Sequence, residues 1–394
     1  LRRTLVDAVS VLIAPLAIGL GVTWLELRHR LRPASPLRLS PRDWSVQNDG
    51  DTIHVTGLLE ISNPHRRMEV FVPELRVDPV LLGQADPSGL QVITRIEAQH
   101  PDEESRADGY WAAYIVKGRR STSARVSITI SGPAAQTVID SLWVDVHWTN
   151  YGPFGRLTRR QGVLVPLRRP DPVLAADASF QSGERCQVLP LRTHLLGPLD
   201  DPIAVLRRYA ENVVKPGDVL TLGETPLAVI QGRYRHPSEV NPGLVARLAC
   251  RVFHPTSSLA TACGMQTLID LVGPTRVLCA WIGGLLLKLA GIPGGFYRLA
   301  GDQARLIDDI TGTTPPYDQT IVLGPDRSQA FCEEAASVLG VAVAIVDVND
   351  LGRVKVLASS PGCDEDLLTR ALKPNPAGNA NQRTPLVLVR PTQG

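Results

Sequence analysis

Charge of one sign is what this chain most lacks. Its 41 Lys and Arg residues nearly balance 39 Asp and Glu, leaving a formal net charge of +2. The basic stripe with interleaved aromatics that marks a nucleic-acid binder is therefore not expected, and aromatic residues make up only 5% of the chain. Close-spaced cysteines are missing too. All six (Cys186, Cys250, Cys263, Cys279, Cys332 and Cys363) lie beyond residue 185, and no two have the spacing of a zinc site or redox pair. Several sit in apolar runs, where cysteine behaves as a small hydrophobe, so free buried thiols in a reducing compartment are expected. No Walker loop is present, so any nucleotide must be held another way. The lack of a Gly-x-Ser-x-Gly elbow and a His-Glu-x-x-His pair removes the commonest hydrolase readings. There is no internal repeat.

What is there is ordinary globular material, 44% hydrophobic and 20% charged, with 33 Gly and 32 Pro promising many turns. A length of 394 residues suggests two or three domains. Ala8 to Leu25 is an apolar run bracketed by Asp7 and Glu26, with Arg2 and Arg3 before it and Arg28, Arg30 and Arg32 after it. Its length just spans a bilayer's hydrocarbon core. A single-pass membrane anchor over residues 1–30 is expected; its rivals are a cleavable signal peptide, for which no small-x-small site follows, and a buried helix. The basic excess after the run places the rest of the chain in the cytoplasm. Residues 31–43, rich in Pro, Arg and Ser, read as a spacer.

From residue 44 to 169 the pattern alternates. Ile53, Val55, Leu59 and Ile61 fall on one face of a strand closed by Ser62-Asn63-Pro64, and Val70 to Val77, Ala124 to Ile130 and Leu142 to Trp148 look similar. Short alternating strands without convincing helices predict a small antiparallel β-sandwich. His54 and His147 on such strands read as satisfied or solvent-facing rather than as ligands. The strand ending in Asn63-Pro64 resembles the membrane-proximal β-domains of late-embryogenesis-abundant type. Residues 170–184 form a linker of Pro, Ala, Asp and Ser.

The remaining residues, 185–394, mix helices and strands, giving an α+β chain overall. Asp201 to Val213 predicts a helix capped by Asp201, with Pro202 in its first turn. Lys215 to Arg233 reads as a turn at Pro216-Gly217-Asp218, a strand at Val219 to Leu222, a polar elbow at Gly223-Glu224-Thr225, and a second strand at Leu227 to Ile230. It ends on Gln231-Gly232-Arg233, a corner that lends backbone donors and one cation to an anion. Val277 to Ile292 is too short for a second membrane span and predicts a helix buried in the domain core. Thr320 to Leu323 is a short strand, followed by a helix capped by Asp326 with an apolar stripe of Phe331, Ala335 and Val338 and a stop at Gly340. Val341 to Val346 predicts a fully buried strand. Val354 to Ala358 and Pro385 to Val389 are further strands.

Two acidic turns carry candidate chemistry. Asp308-Asp309 follows a glycine-containing loop, and Asp347, Asn349 and Asp350 leave the buried strand. Carboxylates at strand ends are the hard oxygen ligands of Mg²⁺ or Mn²⁺ shared with phosphates. A plain hairpin turn accounts for the second cluster equally well.

The order Lys215-Pro-Gly-Asp-Val-Leu, Val229-Ile-Gln-Gly-Arg233, Ala300-Gly301, Ile307-Asp308-Asp309, Val322-Leu-Gly-Pro-Asp326 and Ala344-Ile-Val-Asp347 resembles the coenzyme F420-0:L-glutamate ligase family. The tail from Asn375-Pro-Ala-Gly378 to Thr384-Pro-Leu-Val-Leu-Val-Arg390 is similar to a bacterial branch that often stands behind a membrane segment. The resemblance covers about residues 185–394. It implies a mixed α/β domain of glutamate-ligase type that forms a γ-glutamyl amide from a small carboxylate substrate and L-glutamate, with GTP and Mg²⁺ or Mn²⁺, through an acyl phosphate. It also implies the site: Gln231 and Arg233 as catalytic residues, Gly217, Asp218, Gly232, Arg233 and Gly301 around the nucleotide, and Asp308, Asp309, Asp347 and Asp350 on the metal. A homodimer is possible and no nucleic-acid partner is expected. The chain departs from the family where Gln231 replaces a carboxylate and where Val-Asp-Val-Asn-Asp replaces Ser-Asp-Thr. The alternative is a membrane-anchored binding or scaffold protein that keeps the fold without the chemistry.

Overall fold

The computed structural model describes residue 15 and residues 17–29, 36–174, 176–254, 257–309, 315–349, 352–378 and 382–392. The first domain is built from β1 (Arg38–Asp49), β2 (Thr52–Ser62), β3 (Val70–Val72), β4 (Leu75–Gly83), β5 (Gln91–Gln99), β6 (Tyr114–Val116), β7 (Ser121–Ser131), β8 (Ile139–Gly152) and β9 (Gly155–Pro166). One sheet runs β1-β2-β7-β5; the other runs β4-β8-β3-β6, with β9 also paired to β8. The expected alternation is present: Ile53, Val55, Leu59 and Ile61 are buried, as are Ala124, Val126, Ile128 and Ile130 opposite them on β7. They share one buried cluster with Val144, Val146, Val163 and Val165 of the second sheet, which makes a sandwich core. The stretch from Val70 to Val77 divides at Pro73-Glu74 into β3 and β4, because proline has no N–H for a ladder. Asn63 is fully buried, and its amide donates to the carbonyls of Met68 (2.7 Å) and Val116 (3.0 Å), fixing the turn after β2.

The second domain contributes β10 (Gln181–Gly183), β11 (Cys186–Leu191), β12 (Val219–Gly223), β13 (Tyr234–Arg235), β14 (Asp308–Asp309), β15 (Ile321–Val322), β16 (Ala342–Val348), β17 (Val354–Ser359) and β18 (Leu386–Pro391). The main sheet has the order β10-β11-β18-β12-β16-β17, and a small sheet has the order β13-β15-β14. Only β12 and β16 pair in parallel in the main sheet; the other neighbours are antiparallel. Its helices are α1 (Pro202–Ala210), α2 (Glu224–Ile230), α3 (Leu244–Ala249), α4 (Ala262–Val272), α5 (Pro274–Leu289), α6 (Gly295–Ala300), α7 (Gln303–Leu306), α8 (Ser328–Leu339) and α9 (Glu365–Leu372). Leu206, Tyr209 and Phe331 from α1 and α8 cover one face of the sheet against Leu220, Leu222, Val343 and Ile345. Leu367, Leu368 and Leu372 from α9 cover the other against Val219, Ala344 and Val346. A strand buried on both faces reads as a continuous apolar run, which is why residues 341 to 346 show no alternation. The expected cap of α1 is in place, with Asp201 accepting from the Ala204 N–H at 2.7 Å.

Four expectations change. Leu227 to Ile230 is not a strand but the end of α2, with Glu224 and Pro226 in its first turn, where a carboxylate suits the helix dipole and proline loses no bond. A run of four apolar residues does not distinguish the two states. The cap of α8 is Arg327, at a left-handed φ of 47°, and its buried residues are Phe331, Cys332 and Ala335, with Val338 exposed. The stop at Gly340 is as expected, at φ 70°. Residues 277 to 289 form a helix as expected but not a core one: only Val277, Ala280 and Gly284 of α5 are buried. Finally, residues 17–29 are helical, but residues 8–14 and 16 of the apolar run lie outside the described residues, among which no single helix is long and apolar enough to cross a membrane.

The domains meet through a separate apolar cluster. Trp143 and Leu164 of the sandwich pack with Ala228, Val229, Tyr234, Tyr317 and Val322. The Tyr234 hydroxyl donates to the Gly162 carbonyl at 2.7 Å, and Tyr317 stands edge-on to both Trp143 and Tyr234. Gly162 is glycine because a Cβ there would stand 1.7 Å from the Trp143 ring. Arg383 adds an ion pair to Asp140 at 3.0 Å. The sandwich thus braces the small sheet β13-β15-β14.

Candidate functional site

The parallel pair sets the site. Gly223 lies opposite Val346, so Glu224 and Asp347 leave neighbouring strands at the same level, about 5 Å apart across the ladder. The carboxyl ends of parallel strands are where open α/β sheets take their ligands. The β16–β17 ladder shifts register between Ile345 and Val346, where Leu357 of β17 is the extra residue. Lys355 stands across the ladder from Asp347 on β17. The third carboxylate comes from the small sheet, where β14 is held against β15 with Asp308 opposite Val322.

Glu224 is only 9% exposed. Its carboxyl is pushed up to about 8, first by burial and then by the charges of Asp347 and Asp308, with Lys355 acting against them. Asp308 is pushed up to about 6 by burial and then by Asp347. Asp308 is exposed, unlike Glu224, so the charge of Asp347 is the firmer cause of its shift. Three carboxylates from three separate elements therefore share one electrostatic field. Like charges held together in this way are stabilised by a proton or a cation.

Asp308 and Asp347 lie within electrostatic reach of each other. The partner that sequence reasoning did not single out is Glu224, treated only as part of a polar elbow. The signal was available, since Glu224 ends the buried run Val219 to Leu222 just as Asp347 ends Val341 to Val346. Asp309 accepts a hydrogen bond from the Thr261 hydroxyl, and its other carboxyl oxygen is buried without a partner. Asp350 lies outside the described residues.

The remaining predicted residues are placed otherwise. Asp218 is buried and holds Arg390 through both oxygens, at 2.9 and 2.7 Å. With Gly217 it sits at the opposite end of β12 from Glu224, about 20 Å away at roughly 3.3 Å per residue. Gln231 clamps the Asp326 backbone from both sides, donating to its carbonyl at 2.9 Å and accepting from its N–H at 2.7 Å. Arg233 donates to the Gly324 carbonyl and to Gln303. Gly232 and Gly301 take positive φ angles of 66° and 105°, and at Gly301 a Cβ would crowd the Arg276 guanidinium at 2.9 Å.

The divalent cation implied by the resemblance can be tested against these residues. Their donor chemistry fits a hard ion, and Glu224 and Asp308 are raised first by burial and then by neighbouring carboxylates. Among the described residues, however, no three His, Cys, Asp or Glu side chains form a group ready to hold a metal. The donors are gathered but not closed into a cage.

Residues 38–169 match the family model described as F420-0:gamma-glutamyl ligase, N-terminal Ig-like domain. The sandwich is thus similar to the N-terminal Ig-like domain of that ligase family, and the likeness is confined to that segment. No curated protein matches the chain. Among solved structures, the GAE domain of GGA2p from Saccharomyces cerevisiae is 9% identical, covering 35% of this chain and 96% of its own, with a TM-score of 0.21. The collagen-binding subdomain of the Enterococcus faecalis surface protein ACE is also 9% identical, covering 34% of this chain and 99% of its own, with a TM-score of 0.20.

Proposed function

We propose that the second domain is a nucleotide- and divalent-metal-dependent amide ligase of the F420-0:γ-glutamyl ligase kind, joining L-glutamate to a small carboxylate. The observation that carries the reading is the convergence of Glu224, Asp308 and Asp347 at the carboxyl ends of β12 and β16. The Ig-like match over residues 38–169 supports it from an independent part of the chain. Bound GTP with Mg²⁺ or Mn²⁺ would supply the phosphoryl group that turns a carboxylate into an acyl phosphate, from which the amine of glutamate displaces inorganic phosphate.

Asp308, Asp347 and Glu224 are the residues that would hold the cation, with Glu224 giving up its proton as it does so. Gln231 and Arg233 act as positioning residues. They pin the loop from Gly324 to Asp326 beside the small sheet that carries Asp308. Lys355 stands across the ladder from Asp347 and supplies a cation beside the carboxylates.

The test is calorimetric titration of the full chain with GTP, with and without Mn²⁺, in two buffers of different ionisation heat. Metal-dependent binding with proton release is expected, and Asp308→Asn or Asp347→Asn should each weaken it at least about tenfold, since ligand charge sets affinity. No binding in either condition would favour the second reading, a membrane-anchored scaffold that keeps the fold without catalysis. The observation on its side is that Gln231 and Arg233 are both committed to internal hydrogen bonds.

A further inference from the structure

The segment from Leu244 to Ala300 has an apolar surface that the fold leaves open. On α3 and the turn after it, Leu244, Leu248 and Val252 recur at helical spacing and are exposed, Leu244 by 74%. On α5, Ile282, Leu286 and Leu289 recur in the same way, with Leu286 exposed by 62% and Leu289 by 78%. The two helices pack beside each other. Their opposite faces are the buried ones, Ala246 and Ala249 on α3 and Val277, Ala280 and Gly284 on α5. The exposed residues are therefore not core side chains displaced outward; these helices are apolar on both sides.

The charge around this surface selects its occupant. Between Leu244 and Ala300 the chain carries the bases Arg247, Arg251, Arg276, Lys288 and Arg298, and a single acid, Asp270. Asp270 is already paired with Arg235 at 2.9 Å. Among the described residues, none of those five bases forms an ion pair. All five are exposed. Apolar side chains with arginine and lysine around them suit the boundary between acyl chains and anionic headgroups. A protein partner of matching chemistry would need an acidic rim. Among the described residues no single helix is long and apolar enough to cross a membrane, and α4 and α5 are bent by 115° at Gly273.

We propose that this helical arm docks on an anionic lipid bilayer, with the α3 and α5 faces in the headgroup boundary and the five bases on the phosphates. The contact is separate from the N-terminal apolar run and does not rest on the ligase reading. It would hold the second domain flat against a membrane instead of leaving it on a tether.

Cys279 is the exposed thiol of α5 and allows the arm to be read apart from the N-terminus. The full chain, labelled there with an environment-sensitive dye, is added to vesicles of phosphatidylcholine mixed with phosphatidylglycerol and bearing brominated acyl chains. Quenching of the dye is expected, weaker in pure phosphatidylcholine and at high salt. In the combined variant Ile282→Glu, Leu286→Glu, Leu289→Glu, quenching should fall about tenfold or more, because three large apolar side chains lose their burial. These positions are exposed, so the variant should keep the wild-type thermal melt, which is measured alongside. A wild-type dye that stays unquenched in anionic vesicles overturns the proposal. So does a dye that becomes shielded without lipid as protein concentration rises, which would assign the face to a second copy of the chain.

Discussion

The sandwich and the helical arm use apolar residues in opposite ways. In β2 and β7 every second residue turns into the core, nearly all of them apolar, down to 0% exposure at Leu59, Ile61 and Val126. In α5 apolar residues stand on both sides, and the outer ones meet solvent. The difference teaches that hydrophobicity alone does not locate a core. Period decides: a period of two assigns one face to the interior, whereas a helix apolar all round gives no inside or outside until its neighbours are known.

Substitutions can test that contrast in order of size. Leu59→Ala should be the most costly, about 2–5 kcal/mol by urea unfolding, from lost transfer energy plus the cavity left behind. A cost below the range for partly exposed sites would mean that the sandwich core is looser than described.

Glu224→Gln should come next and carry the opposite sign. The folded protein holds this carboxyl's proton up to about pH 8, while the unfolded chain releases it near the ordinary glutamate value, so stability falls as pH rises between the two. Glutamine cannot ionise and escapes that loss. The variant should melt with wild type near pH 4 and be more stable at pH 8, by about 2–4 kcal/mol. Equal stability across the range would remove the buried, charge-repelled state assigned to Glu224.

Leu286→Ser should have the smallest effect, within about 0.5 kcal/mol, as an exposed position does. A loss comparable to that at Leu59 would show that α5 is covered in solution and would erase the contrast between the regions.

Much of the architecture was legible in the chain. Alternation at Ile53 to Ile61 and the turn at Asn63-Pro64 announced the sandwich, Asp201-Pro202 announced α1, and the unbroken run from Val341 announced a strand covered on both faces. What escaped was decided by tertiary context. Leu227 to Ile230 is four apolar residues, equally good as strand or helix until both flanking cores bury it. Asp308 and Asp347 were visible as acidic strand ends, but Glu224 joins them only through the parallel register of β12 and β16, which no local pattern encodes. Gln231 and Arg233 looked like ligand groups because an amide and a cation beside glycine suit an anion, and Asp218 entered through the family resemblance. The fold instead gives each an internal partner.

The place of β18 in the main sheet has a consequence for assembly. It lies between β11 and β12, and the Thr221 hydroxyl donates to the Val387 carbonyl across 166 residues of chain. The strand that presents Glu224 is thus completed by one of the most distant segments in its domain. Contacts of such long range are formed late and slowly. The carboxylate cleft should therefore appear in a single cooperative event with the closing of the sheet, and a chain shortened before Leu386 should have no partial version of it.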